Sequence, residues 1–372
     1  MAWDSVIGQY RVKELLRRSI ERGTIAHAYL FSGTEGIGKD ALALEFAKVL
    51  NCVDQTTAAC GVCPSCLQAG AFHHPNINFI TALPVGKGEN QGDDPVSVLS
   101  DDQVEEYRSA LEEKARDAYR RIELDKANFI KINSIRQIKR ETAMALSRSG
   151  KKIFIISGAE RMNADASNSL LKTLEEPPND TVLLLTTAEK NRLLPTILSR
   201  CQLLHCDALT EQEISSALTA RDGIEEKQAY IAAELSNGSY SVARELSEGD
   251  IARERQEVLT FLRLVVGNQK IQSARFVEAF VNERGKKSLE RWLGQLQAWL
   301  REVMLLRETK EHQTGVNDRE SQEKFVDRFR NADLPRAISA VETAIVHLHK
   351  NVYLPLVFLR LHTELRKYIL NG

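Results

Sequence analysis

A strand, a glycine-rich turn and a helix in unbroken succession constrain this chain more than anything else in it. Ala28-Tyr29-Leu30-Phe31 is a short apolar run that ends at Gly33. Asp40 to Leu50 carries Leu42, Leu44, Phe46, Ala47 and Leu50 at helical spacing. Between them lies Gly33-Thr34-Glu35-Gly36-Ile37-Gly38-Lys39. Successive backbone N–H groups and a helix N-terminus in such a loop cradle oxyanions, and its lysine reaches the outer phosphates. The candidate nucleotide site is therefore Gly33, Gly36, Gly38, Lys39 and Asp40. Residue 40 is the anomaly, because a hydroxyl that ligates magnesium belongs there. A carboxylate repels a nucleotide, although it suits an empty helix terminus. Three readings stand: a vestigial turn that binds nothing, ATP or ADP binding without turnover, and hydrolysis with unusual metal ligation.

The next strands sharpen the anomaly. Ile153–Ile156 and Val182–Leu185 are fully apolar runs of the buried parallel kind, and Leu203-Leu204 extends the series. Phe129-Ile130-Lys131-Ile132 reads as a further strand, followed by a capping-box pattern at Ser134 to Gln137. Helices over about 163–176 and 191–199 alternate with these strands, which predicts a doubly wound parallel sheet with helices on both faces. The end of the Ile153–Ile156 strand should supply a magnesium carboxylate and a water-orienting group. Ser157-Gly158 offers neither, and Glu160 and Asp165 lie out of register.

Residues 84–126 interrupt this frame. A stretch rich in Gly, Asp and Pro leads into Asp101–Asp125, a polar helical segment with nine acids and five bases. The expectation is a solvated surface insertion. Beyond Asp207 the strand signals stop. Residues 208–250 read as a small helical unit and 251–372 as longer amphipathic helices, including Leu289–Leu306, Leu334–His349 and Leu354–Leu370. Expected domains are thus 1–207, 208–250 and 251–372, with no internal repeat.

A net charge of -1 makes any nucleic-acid site a local patch. Lys131 to Lys152 is such a patch, with seven bases against Glu141 alone. Phosphate contact through Arg136, Lys139 and Arg140 stands beside a plain solvated basic face. No aromatic residue interleaves it, so base stacking is not indicated. There is neither a signal-peptide pattern nor an apolar run long enough to span a membrane, which leaves a cytoplasmic expectation. Disulfides are then not expected. Cys52, Cys60, Cys63 and Cys66 instead form C-x7-C-x2-C-x2-C, a four-thiolate set suited to tetrahedral structural zinc, against free or redox-active thiols as the plainer reading. His73 and His74 are expected to pack against the module, and Cys201 and Cys206 to pack in or beside the core. Arg200, in Ser199-Arg200-Cys201, is either a helix-terminal arginine satisfying carbonyls or a finger for a neighbour's phosphate.

The order of these segments is specific. Val6-Ile7-Gly8-Gln9, His27-Ala28-Tyr29-Leu30-Phe31, the cysteine module, Leu170-Leu171-Lys172-Thr173-Leu174-Glu175-Glu176-Pro177-Pro178 and Ser199-Arg200-Cys201 together resemble the AAA+ subunits of the bacterial DNA polymerase III clamp loader. The likeness implies an α/β P-loop AAA+ domain, a helical lid and an all-α collar. It also implies zinc in the cysteine module, and Arg136 following a DNA backbone. The ATPase motor of that family, gamma/tau, carries Asp-Glu where this chain has Ser157-Gly158. It also carries Ser or Thr where this chain has Asp40, and a nucleotide-sensing arginine where it has Ser241. The departures point to the delta-prime type, with neither polymerase nor ATPase activity of its own. That type acts in a hetero-pentamer with gamma/tau and delta, on the sliding clamp and primer-template DNA, and presents Arg200 to a neighbour's ATP. Arg244, one turn past Ser241, is expected to be solvated. The alternatives are a gamma/tau-type motor with unusual metal ligation, and a DNA-binding scaffold built on the basic helix.

Overall fold

Five short, largely apolar runs assemble into one parallel sheet in the computed structural model, which describes residues 3 and 5–370 apart from 55, 87, 91, 144–149, 248–250, 268–269, 310–318 and 349–351. The strands are β1 (Ala28–Ser32), β2 (Ile77–Ile80), β3 (Lys152–Ile156), β4 (Thr181–Thr187) and β5 (Gln202–His205), in the spatial order β2-β3-β4-β1-β5. Every pairing is parallel, with Leu30 opposite Leu185 and Leu203, and Phe154 opposite Asn78 and Leu183. β1, β3 and β4 are buried along their whole length, as a central parallel strand covered on both faces must be.

Among the described residues this part of the chain carries seven α-helices: α1 (Tyr10–Glu21), α2 (Lys39–Asn51), α3 (Pro64–Gly70), α4 (Asp101–Arg116), α5 (Ile132–Ala143), α6 (Ala164–Glu175) and α7 (Pro195–Leu198). One face of the sheet, with Leu30, Phe154, Ile156, Leu183 and Leu185, packs on Ile135 and Ile138 of α5, Leu170 and Leu174 of α6, and Ile197 of α7. On the other face Tyr29 meets Phe46 of α2 edge-on at 5.2 Å. Asn163 caps α6 by accepting a hydrogen bond from the Ala166 amide at 2.8 Å.

Several sequence expectations need correction. Phe129–Ile132 is not a strand. Ile130 alone makes a bridge, to Met162, and Ile132 already begins α5, so Ser134 lies inside the helix and does not cap it. The β3 edge is taken by β2, whose Asn78 breaks the apolar run and hides it in the sequence. The helix expected over 101–125 stops at Arg116, and the one expected over 191–199 is the single turn α7.

By contact density the chain divides into one compact unit of residues 1–217 with 237–241, and a second of 218–236 with 242–372. The later helices are α8 (Glu211–Asp222), α9 (Glu226–Leu235), α10 (Tyr240–Ser247), α11 (Ile251–Val266), α12 (Lys270–Asn282), α13 (Lys286–Thr309), α14 (Arg319–Arg328), α15 (Leu334–Leu348) and α16 (Leu354–Leu370). The spine of the second unit is α13. Leu289, Trp292, Leu293, Leu296, Trp299, Leu300 and Val303 recur at three- and four-residue steps, and each is at most 1% exposed. Phe261 and Phe280 pack on Trp292 with centroids 5.2 and 4.7 Å away. Among the described residues no helix is long and apolar enough to cross a membrane.

Candidate functional site

β1 ends in the phosphate loop as the sequence requires, and α2 starts at its lysine. Gly36 and Gly38 sit at φ 76° and 94°, conformations that disfavour a side chain. Lys39 does not project from the loop. Its ammonium donates to the carbonyls of Gly33 (2.9 Å) and Thr34 (2.6 Å), and burial lowers its pKa against the pull of Asp40 and Glu35.

Asp40 is the centre of a closed network. Its Oδ1 accepts from the Thr186 hydroxyl at 2.8 Å, and its Oδ2 accepts from the Ser157 hydroxyl at 2.7 Å. The same Oδ2 pairs with Lys114 Nζ at 2.9 Å. Ser157 stands directly after β3, where the family's motor has its acid, and Thr186 stands near the end of β4. Burial alone would raise the Asp40 carboxyl. Lys114 and the two hydroxyl donors overcome that and hold it below its ordinary value. Lys114 itself is 2% exposed and also donates to the carbonyls of Arg120 (2.7 Å) and Ala118 (3.3 Å). Glu160, the alternative acid, accepts instead from the Ala188 amide at 3.3 Å.

The insertion is therefore not a solvated appendage. Lys114 closes the inward stripe of α4, and the chain after Arg116 turns back over the loop. Tyr119 is 7% exposed. Its hydroxyl accepts from the Ile7 amide at 2.6 Å, and its carbonyl accepts from Ser241 Oγ at 3.2 Å. Its ring meets Tyr240 edge-on at 4.9 Å. Arg121 pairs with Glu35. The position expected for a sensing arginine is thus occupied by a serine that binds the insertion. Arg244 is half-buried. The sequence held one signal for Lys114: a partly buried carboxylate at residue 40 demands a cation.

The four module cysteines converge, with their sulphurs all within 4.8 Å of one another and Cys60 Sγ 3.9 Å from Cys66 Sγ. A tetrahedral zinc with Zn–S bonds of about 2.3 Å sets sulphurs about 3.8 Å apart, so the set fits such an ion. Backbone amides donate to the sulphurs, Cys60 to Cys52, Cys63 to Cys60 and Cys66 to Cys63, at 3.3–3.4 Å. Such donors orient and stabilise thiolates. Burial resists ionisation of Cys63, but amide donors at Val53 and Cys66 and the neighbouring thiols bring it down to about 6. His74 buttresses the module: its Nε2 is 2.9 Å from Ser65 Oγ, and that hydroxyl donates to the Asn51 carbonyl at 2.6 Å. Cys201 and Cys206 are buried apart from the set, their thiols pushed up to about 12 by burial.

Arg200 follows α7 and is half-exposed. Its guanidinium donates to the Thr196 carbonyl at 3.0 Å and pairs with Glu175 at 2.9 Å. Glu175 ends α6 and was not foreseen as its partner. The basic patch is largely consumed within the chain. Lys131 is buried against Glu89 at 2.8 Å, and Lys151 pairs with Asp180 at 2.7 Å. Lys152 donates to the Glu141 carbonyl, and Arg140 donates to the carbonyls of Gly92 and Asp93. Lys139 is exposed and Arg136 half-buried, while Arg148 lies outside the described residues.

The family model described as "DNA polymerase III, delta subunit" matches residues 8–210. The chain belongs to that family. It is 33% identical to DNA polymerase III subunit delta' of Bacillus subtilis (strain 168) over 252 residues, 68% of this chain and 63% of the relative. It is 30% identical to subunit delta' of Pseudomonas aeruginosa over 67% of this chain and 64% of the relative. Against subunit tau of Escherichia coli (strain K12) it is 29% identical over 76% of this chain and 38% of the relative. The matches thus span less than two thirds of these relatives' own lengths. Among solved structures, a gamma subunit-related protein of Thermotoga maritima superposes with a TM-score of 0.41 at 17% identity, covering 95% of this chain and 99% of that one.

Proposed function

We propose that this chain is a non-hydrolysing, delta-prime-type subunit of the clamp loader that lends Arg200 to the ATP site of a neighbouring gamma/tau-type motor. The observation that carries the reading is Asp40. A loop working on its own phosphates needs a cation held by residue 40 and by the end of β3. Here those two positions hydrogen-bond to each other, and a lysine of the same chain neutralises the carboxylate.

In this reading Glu175 and the Thr196 carbonyl hold the guanidinium at the end of α7. A terminal phosphate carries more negative charge than a carboxylate and competes for the same planar fork. In the transition state the guanidinium stabilises charge spreading over the transferred phosphoryl group, a contribution of about 10³–10⁵ in turnover. The chain's own share is geometry and one positive charge; delta, the sliding clamp and primer-template DNA complete the assembly in the cytoplasm. Zinc in the cysteine set would hold residues 52–66 closed against α3, a structural part with no step of its own. Arg136, Lys139 and Arg140 are the candidates for contact with a DNA backbone, and Arg140 also donates to carbonyls of the insertion.

The test is Arg200→Ala in the loader reconstituted with its motor subunit. ATP turnover should fall about 10³-fold while the circular dichroism and assembly of the chain stay unchanged. Turnover equal to wild type would remove the role. Magnesium-dependent turnover by the isolated chain, abolished by Lys39→Ala, would establish the motor reading in its place.

A further inference from the structure

An insertion that the family pattern does not predict lies over the element the family uses for phosphate. In a working loop a hydroxyl after the lysine and a strand-end carboxylate share one magnesium ion, which in turn holds the nucleotide. This chain has rebuilt that arrangement from side chains. Asp40 takes the ligand position, Ser157 and Thr186 donate to it, and the Lys114 ammonium sits against it at 2.9 Å. One carboxylate and one ammonium cancel at the ligand position itself.

The space above the loop is filled as well. A Cβ built on Gly38 would lie 2.5 Å from the Tyr119 hydroxyl and 2.7 Å from its ring. The Tyr119 ring therefore packs directly on the Gly38 Cα, with no room for a side chain between them. Tyr119 is held at its hydroxyl by the Ile7 amide, at its ring by Tyr240 and at its backbone carbonyl by the Ser241 hydroxyl. Arg121, two residues on, pairs with Glu35 of the loop at the surface. The lysine that should reach the outer phosphates is turned back onto Gly33 and Thr34.

We infer that residues 114–121 are an intramolecular occupant of the nucleotide cleft, with Lys114 standing in for the metal ion and Tyr119 excluding the nucleotide. The inference deepens the non-hydrolysing reading and is independent of Arg200. The insertion keeps the loop in one fixed conformation whatever the ATP concentration, so this subunit is a constant surface beside partners that cycle.

The experiment uses the full chain, MgATP and its fluorescent N-methylanthraniloyl analogue, read by anisotropy. Wild type should show no magnesium-dependent binding at millimolar nucleotide. The combined variant Lys114→Met, Tyr119→Ala, Asp40→Thr removes the occupant and restores the hydroxyl; it should bind at least tenfold more tightly than wild type. Amine labelling read by peptide mass spectrometry tests the same point without a variant. Lys114 should label at least tenfold more slowly than Lys126, which is 82% exposed, and MgATP should not change that ratio. Micromolar binding of MgATP by wild type, labelling of Lys114 at the Lys126 rate, or a folded triple variant that still fails to bind would each overturn the inference. None of these outcomes depends on turnover by the assembled loader.

Discussion

Replacing Lys114 with methionine keeps most of its length and removes its charge, which isolates the pair with Asp40. At 2.9 Å and an effective dielectric of about 20, the Coulomb attraction is about 6 kcal/mol. Much of it is offset by desolvation of the ammonium, and breaking a buried pair from one side costs roughly 3–5 kcal/mol. Asp40 retains its bonds from Ser157 and Thr186, so the low end applies, about 3 kcal/mol at pH 7. The cost should depend on pH. In wild type the carboxyl lies below its ordinary 3.8, so its stabilisation is present at neutral pH and is lost as pH falls through the folded value. Without Lys114 burial pushes the same carboxyl up. The folded variant then takes up a proton before the unfolded chain does, and it gains stability on acidification. The gap between the two proteins narrows from pH 7 towards pH 4. Amide hydrogen exchange on peptides covering β1, β3 and β4 reads the opening energy of this unit directly. Exchange should be about two orders of magnitude faster in the variant at neutral pH, and adding Asp40→Asn should recover most of the loss. A variant within threefold of wild type at pH 7, with a gap that does not change with pH, would refute the assignment of a buried, energetically coupled pair.

The remaining predictions concern the loop and the cysteines. Gly38→Ala places a side chain at φ 94° and 2.5 Å from Tyr119; it should cost about 1–3 kcal/mol and lower the melting temperature. Gly23→Ala, at φ 65° with nothing within 4 Å, pays for the backbone alone and is the control; equal shifts for the two would place Tyr119 elsewhere. The purified protein should contain about one equivalent of zinc, and Cys60→Ser or a strong chelator at neutral pH should remove it and raise hydrogen exchange across residues 52–70. A metal-free protein with full protection there would show that the four sulphurs need no ion.

Much of this molecule is written in local pattern. The apolar runs that became β1, β3 and β4 are legible because a parallel strand covered on both faces tolerates almost nothing polar. The four cysteines lie within fifteen residues, so their convergence needs little more than one turn and one short helix. The periodic stripe of α13 names the core of the second unit for the same reason. Asp40, Ser157 and Ser241 announced a loop whose metal-handling positions depart from the motor pattern. What local pattern did not contain was the company those residues keep. Ser157 meets Asp40 across 117 positions, and Thr186 meets it across 146. That β2 and not Phe129–Ile132 pairs with β3 rests on contacts between segments far apart in the chain, which no window of sequence records. Lys114 sits in a helix rich in acids, where periodicity marks it as one more solvated charge. Only the return of the chain past Arg116 carries it beneath Tyr119 and onto Asp40. Sequence set the strands, the loop and the missing metal ligands, because those depend on residue type and short-range spacing. Tertiary structure decided what fills the cleft, because a buried carboxylate takes whichever cation the fold brings within 3 Å, and chain topology alone sets which one that is.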